Sequence, residues 1–545
     1  MKSNYYLVIL ACLIISCKNI KNRTHKNSEA KEIENLYFSK IDFKKNKPTS
    51  DNYTNNFTLN KEEFLNIHFT LDKPLIENLK LLAPNLTQDQ LLNKGNFQFS
   101  FLVDKEIIYV ENLSKGAGAI DSKTTQLKHL VPLAYPKQID FWGWFMWLKF
   151  MKLGDGQDAL SEGSHSLSIE VRPYVKQDSL IVGALLAKGN ITVEVEKIPV
   201  DKSLIPIQKI QANSGWQISK DSFDNNKIEA LNRKIAEGRF ESINGIVIIK
   251  ENKLLIEQYF NGETRDSLHD PRSVGKSIAS TLMGIAIEES FIKNENALLK
   301  DFYNLKSFKN YSEKKDFVTL KSLLTMSSGF LGDDSDYNSI GNENNMYPTD
   351  NWVQFALDLP MQKERAIGKD FAYFTAGVVV LGDVIDKSVP KGLVSYANKK
   401  LFAPLGITNY QWEYTPQKVG NTAGGIRLRA LDFAKYGQLY KNKGRWNGKQ
   451  ILNKQWVEKS LDKQIKQSFD GDSYGYLFWN KTYKLKNKEY EVSFCSGMGG
   501  NKIFIFKDIP FVVVITSSAY NIPNAHTNVD KMMIDYILPA IIQKK

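Results

Sequence analysis

In "HDPRSVGKSIAS", residues 269–280, Ser273 and Lys276 stand three positions apart. That spacing places both on one helical face, where an amine can take the hydroxyl proton and leave an oxygen able to attack an acyl carbon. The spacing alone decides nothing, because Ser-x-x-Lys also occurs at Ser28, Ser290, Ser312, Ser388 and Ser460. Context separates them. Ser28 lies in a polar run, Ser312 in the charged "NYSEKKD", Ser388 beside Pro390, Ser460 in the lysine-rich "KSLDKQIK", and Ser290 at the wrong end of an apolar helix. Ser273 opens a segment apolar on nearly every face, through Val274, Ile278, Leu282, Ile285 and Ile287, which predicts a buried helix. Pro271 suits its start. Unpaired N–H groups at that end stabilise an alkoxide or an oxyanion. Burial disfavours the charged amine, so Lys276 rather than His269 is the expected proton acceptor. The plain alternative is a capping serine beside a solvated lysine.

A rival nucleophile stands in "GDSYG", residues 471–475, which matches Gly-x-Ser-x-Gly. Such an elbow must leave a strand and enter a helix. Here "YLFWNKTYKL" follows and reads as a strand, while the preceding "KQIKQSFD" is polar, so Ser473 is not expected to react. A histidine triad is weakened because this half of the chain holds only His269 and His526.

The elements that must position these groups follow from the rest of the chain. A length of 545 residues suggests roughly two to four domains. The net charge of +12 is spread among interspersed lysines and carboxylates with no dominant basic block, which argues against nucleic-acid binding. At the N-terminus "LVILACLII" is apolar but short, and "IISC" follows, which predicts a signal peptide over 1–16 whose end resembles a bacterial lipobox. Cys17 would then carry the lipid, and the body would hang from the membrane on the periplasmic side of a bacterial envelope. Cys495 would be the one thiol left, so no internal disulfide is expected.

Residues 17–57 are polar and charged and are expected to form a lipid-anchored flexible tether. From 58 to 205 the alternation in "NFQFSFLV", "EIIYVENL", "SLSIEVRPYV" and "NITVEVEKI" predicts a β-rich accessory domain. Within it, Trp142, Trp144 and Trp147 of "FWGWFMWLKFMK" belong either to a core or seam, or to a surface that stacks on sugars or a membrane interface. "GDGQDA" lacks calcium-loop spacing and reads as a turn. Residues 206–545 mix both periodicities; "NGIVIIKENKLLIEQYF" predicts a two-stranded hairpin.

Further stretches carry a resemblance. "VTLKSLLTMSSGF" (318–330), "FAYFTAGVVVLGDVI" (371–385) and "FCSGMGGNKIFIFKDIPFVVVITSS" (494–518) resemble, in order, segments of the serine β-lactamase and penicillin-binding-protein superfamily. "AGGIRLRALDFAKYGQLYKNKGRWNGKQIL" is similar to its class C branch, which includes esterases and nylon-oligomer hydrolases. The resemblance implies an α/β catalytic domain, an antiparallel sheet flanked by helices with a mostly helical subdomain. It implies Ser273 as acylated nucleophile, Lys276 as its base and Tyr373 as the second proton-transfer group. A phenol with an ordinary pKa of about 10 does this if a neighbouring cation favours its anion. The backbone N–H groups of Ser273 and Met498 would form the oxyanion hole. Thr375, Ser496 and Gly497 would line the substrate site.

Two departures bear on the substrate. Thr375 stands where Asn or Ser is usual, and Cys495-Ser496-Gly497 replaces the basic or histidine start of the third motif, so no cation is expected there for a β-lactam carboxylate. Cys495 reads as a packed residue. Ser327 and Ser328 are expected to shape a turn with Gly329, and Asp333, Asp334 and Asp336 to sit in a solvated loop, the alternative being a cation chelate. The expectation is a serine hydrolase acting on a small ester, amide or peptide, with no metal or cofactor implied. The alternatives are a penicillin sensor that acylates without turnover, and an adhesion or glycan-binding lipoprotein with an inert hydrolase fold.

Overall fold

The computed structural model describes residues 35–542 apart from 47, 60–61, 138, 468–470 and 523. The expected signal peptide, the lipidation site Cys17 and the start of the tether lie outside the described residues. The chain divides into two compact units between Pro199 and Val200.

The N-terminal unit holds two sheets. One pairs Tyr53–Thr54, Leu36–Ser39, Leu65–Thr70 and Lys128–Ala134; the other runs Asn56–Thr58, Ala187–Val195, Gly163–Lys176, Gly95–Val103 and Glu106–Asn112. The alternating stretches therefore do form strands. Asp104 and Lys105 both take positive φ in the two-residue turn joining Gly95–Val103 to Glu106–Asn112, the geometry whose twist matches a hairpin. Residues 35–57 depart from the expected tether. Leu36, Phe38 and Phe57 are buried, so sparse apolar side chains in a polar run each fill a core position. The unit also contains a helix that strand alternation did not reveal, Trp142–Lys152, which buries Gly143, Met146, Trp147 and Phe150. That is the i, i+3, i+4, i+7 stripe of an amphipathic helix. Trp147 lies in the core beside Phe101 and Phe150, and Trp142 and Trp144 are half-buried.

The second unit is built on a sheet whose central strands are antiparallel. We label β1 (Ile243–Lys250), β2 (Lys253–Tyr259), β3 (Trp479–Leu485), β4 (Lys488–Gly497), β5 (Asn501–Phe506) and β6 (Phe511–Ser517). Their order is β2-β1-β6-β5-β4-β3, so the unit's early hairpin is clasped by its final strand. Very short strands extend both edges, and one of these, Gln217–Ile218, runs parallel to β2. The β1–β2 hairpin turns on Glu251 and Asn252, both at positive φ.

Three helices matter for the site: α1 (Gly275–Glu288), α2 (Thr375–Ser388) and α3 (Ala430–Lys441). Every residue of α1 from Gly275 to Ala286 is buried, which explains its apolar circumference. Each large aliphatic on it contributes about 1.5–3 kcal/mol by leaving water. Two of its polar side chains are matched: Ser277 Oγ donates to Leu477 O, and Thr281 Oγ1 lies 2.8 Å from the hydroxyls of Tyr436 and Tyr440 on α3, whereas the buried Ser280 Oγ has no hydrogen-bond partner among the described residues. Trp456 Nε1 donates to the α1 carbonyl of Ser280. Among the described residues no helix is long and apolar enough to cross a membrane.

Candidate active site

Ser273 sits in a single 3-10 turn, Arg272–Val274, that leads directly into α1. Arg272 holds φ 54°, a left-handed conformation that costs a non-glycine residue on the order of 1–3 kcal/mol. The turn is braced. Asp270 Oδ1 accepts from Arg272 N, the Arg272 guanidinium lies 4.5 Å from the Tyr520 ring centroid, and Tyr520 Oη donates to Asp270 O. Ser273 itself is half-exposed, whereas Lys276 is 1% exposed.

Lys276 Nζ lies 2.7 Å from Ser273 Oγ and donates to Ala423 O at 2.6 Å. Burial pushes the Lys276 pKa below its usual value, partly offset by the Glu343 and Asp334 carboxylates. A neutral amine has two N–H donors and one lone pair. With one N–H given to Ala423 O, the lone pair can face the hydroxyl. Nζ also lies 5.4 Å from the centroid of the Tyr373 ring, which stacks on Trp479 of β3 with centroids 5.6 Å apart. The structure thus brings Ser273, Lys276 and Tyr373 together from two helix starts.

Two glycines let backbone close on Ser273. A Cβ on Gly497, the last residue of β4, would collide with Pro271 O and fall 3.1 Å from Ser273 N. One on Gly424 would fall 2.5 Å from Arg272 O and 3.1 Å from Ser273 N. Only the missing side chains permit that approach. Met498, which follows Gly497, exposes its side chain.

The expected substrate contacts are placed differently from one another. Thr375 is fully buried as the first residue of α2, with its N–H donating to Asp334 Oδ2 at 2.7 Å. Ser496 is buried on β4, with Oγ 3.4 Å from His526 Nδ1. Cys495 is buried, and desolvation pushes its thiol up to about 12, the state of a packed residue.

Several expectations are settled by position. His269 is buried in a backbone bridge to Leu428, and desolvation lowers its pKa. Ser473 is buried in a two-residue strand that leads to β3 and not to a helix, so it has no elbow. Ser327, Ser328 and Gly329 do not form the turn themselves but follow one at Thr325 and Met326, with Gly329 at φ 79° and Ser327 O accepting from Gly368 N. Asp333, Asp334 and Asp336 are not one solvated loop. Asp336 is exposed, but Asp334 turns inward, and burial with the Glu343 charge raises it to about 6. Among the described residues no group of three or more His, Cys, Asp or Glu side chains could hold a metal ion. Sequence reasoning assigned no role to Ala423 and Gly424, although they lie in the quoted "AGGIRLRA" stretch.

The family model described as Beta-lactamase matches residues 231–531, more than half of the chain. The chain belongs to the beta-lactamase family. The family fold, with the strand-rich region ahead of it, is the fold class expected from the sequence. Solved structures similar to this beta-lactamase-family protein include an octameric penicillin-binding protein homologue from Pyrococcus abyssi, at 22% identity and TM-score 0.44, covering 57% of this chain and 76% of that one. Another is a penicillin-binding protein from Bacillus halodurans, at 15% identity and TM-score 0.42, covering 54% and 97% respectively. A family VIII carboxylesterase matches at 15% identity and TM-score 0.45, covering 61% and 100%. No curated protein matches the chain.

Proposed function

We propose that this protein is a serine hydrolase that cleaves small esters, amides or peptides through an acyl-enzyme on Ser273. One observation carries the reading: an amine 1% exposed stands 2.7 Å from a half-exposed hydroxyl at the start of a buried helix. Neutral Lys276 takes the Ser273 proton as Oγ bonds to the acyl carbon. The oxyanion forms against the N–H groups of Ser273 and Met498. Tyr373, beside Lys276, passes a proton to the leaving group as its bond to the acyl carbon breaks. Water, losing its proton to the same Tyr373–Lys276 pair, then attacks the ester on Ser273, and the pair returns that proton to Ser273 Oγ as the Oγ–acyl bond breaks and frees the acid. Cys495-Ser496-Gly497 supplies no cation from the third motif for a β-lactam carboxylate, so simple esters are the favoured substrates over β-lactams.

Hydrolysis of p-nitrophenyl esters, D-amino-acid amides and nitrocefin by the wild type, Ser273→Ala, Lys276→Ala and Tyr373→Phe tests this. The wild type should turn over at least one ester, and each substitution should lower that rate by about 100-fold or more. Equal rates for all four proteins would remove Ser273 from the chemistry.

A further inference from the structure

We propose that Asp334 is a positioning residue that fixes Tyr373 against the Ser273–Lys276 pair; the inference rests on the hydrolase reading above. Tyr373 stands two residues before the first residue of α2, in a segment tied down on one side through Met326. Ala372 N donates to Met326 O, and Phe374 N approaches Met326 Sδ at 3.3 Å. The other side belongs to Asp334. Its backbone N–H donates to Tyr373 O at 2.7 Å, and its carboxylate Oδ2 accepts from Thr375 N at 2.7 Å. One residue therefore clasps the chain immediately at and beyond Tyr373, bracketing Phe374. The second carboxylate oxygen, Oδ1, accepts from Glu343 N at 2.7 Å, which fixes the plane of the carboxylate.

Burial and the Glu343 charge disfavour the ionised Asp334 carboxyl, and the Thr375 N–H and Lys276 partly offset them. The carboxyl stands at the start of the fourteen-residue α2, where unpaired N–H groups favour negative charge. Arg365 pins the loop from outside by donating to Gly332 O and Asp333 Oδ2. Glu343 and Lys276 are the charged groups that act on it. Its neighbour Asp336, by contrast, is exposed, and its carboxylate accepts from Asn338 N within its own turn.

Asp334→Asn is the test because it preserves shape while replacing two acceptor oxygens by one acceptor and one donor. One of Thr375 N–H and Glu343 N–H then faces an NH2 group. Loss of a charge-assisted bond of this kind at a positioning residue should lower kcat about 10- to 100-fold, with KM within about threefold. A purely structural role would not depend on the phenol. Asp334→Asn placed in a Tyr373→Phe background should therefore cost no more than about a further threefold. Thr375→Pro removes the same N–H from the other partner at a helix position that accepts proline, and it should reproduce both results. Asp336→Asn should leave the rate unchanged. Full activity of Asp334→Asn and Thr375→Pro, or losses that multiply with Tyr373→Phe, would overturn the proposal. Ser273→Ala run alongside separates this from failure of the hydrolase reading, since retained turnover there condemns the site as a whole.

Discussion

Gly497→Ala offers a demanding perturbation, because it adds one methyl group at the point where two backbone segments touch. The new Cβ meets Pro271 O inside contact distance and Ser273 N at 3.1 Å. Both are main-chain atoms, so no side chain can rotate away. Either the end of β4 or the Pro271–Ser273 turn must move, by a shift on the order of an ångström. The proposed oxyanion donors, Ser273 N–H and Met498 N–H, lie one on each segment, so the shift parts them. A missing donor costs about 100- to 1000-fold in rate, and an ångström of misplacement about 100-fold. We therefore expect acylation by a p-nitrophenyl ester, followed by stopped-flow release of nitrophenolate, to slow about 100- to 1000-fold. Overpacking should cost about 1–3 kcal/mol of stability, so the variant should remain folded. Gly116→Ala is the control, since nothing lies within 4 Å of the added carbon. An acylation rate for Gly497→Ala within about threefold of wild type would refute the reasoning.

Further outcomes follow from buried groups. Cys495, with its thiol raised to about 12 and no surface, should resist iodoacetamide in the native protein and react only after unfolding, as read by peptide-level mass mapping. Glu257 is buried on β2, where its carboxylate accepts from Arg265 Nε and Tyr259 Oη. Glu257→Ala strands both donors and should lower stability by about 3–5 kcal/mol in urea unfolding. In the N-terminal unit desolvation holds His68 and His129 at about 4, below the ordinary 6.5. Between those values the unfolded chain binds protons that the native unit does not. Its stability should thus be full above pH 6.5 and fall as pH drops toward 4, with His129→Phe flattening the slope in thermal melts.

Signals local in sequence were legible, and those created by folding were not. The β1–β2 hairpin announces itself through alternation around a short turn, and α1 through an apolar circumference that needs burial on all sides. Trp142–Lys152 hid its helical period because Trp142, Trp144 and Phe145 add aromatics beyond the buried stripe. Leu36 and Phe38 hid because two core residues barely alter the composition of a polar stretch. At the site, Ser273 and Lys276 are three residues apart and could be found by spacing. Ala423 and Asp334 could not. The carbonyl that binds Lys276 comes from 147 positions away, and the carboxylate that caps α2 from 41 positions before Thr375. Such partners are chosen by topology, and a carboxylate in a run of Asp and Ser gives no local sign of which one turns inward.

The central claim is that a deprotonated lysine makes one serine hydroxyl reactive. Mass mapping of the full chain after exposure to a fluorophosphonate tests it most directly. A single adduct on the peptide containing Ser273, absent in Ser273→Ala and formed at least about 100-fold more slowly in Lys276→Ala, is the predicted result. An adduct on another serine, or one that forms on Ser273 at the same rate without the Lys276 amine, would contradict it.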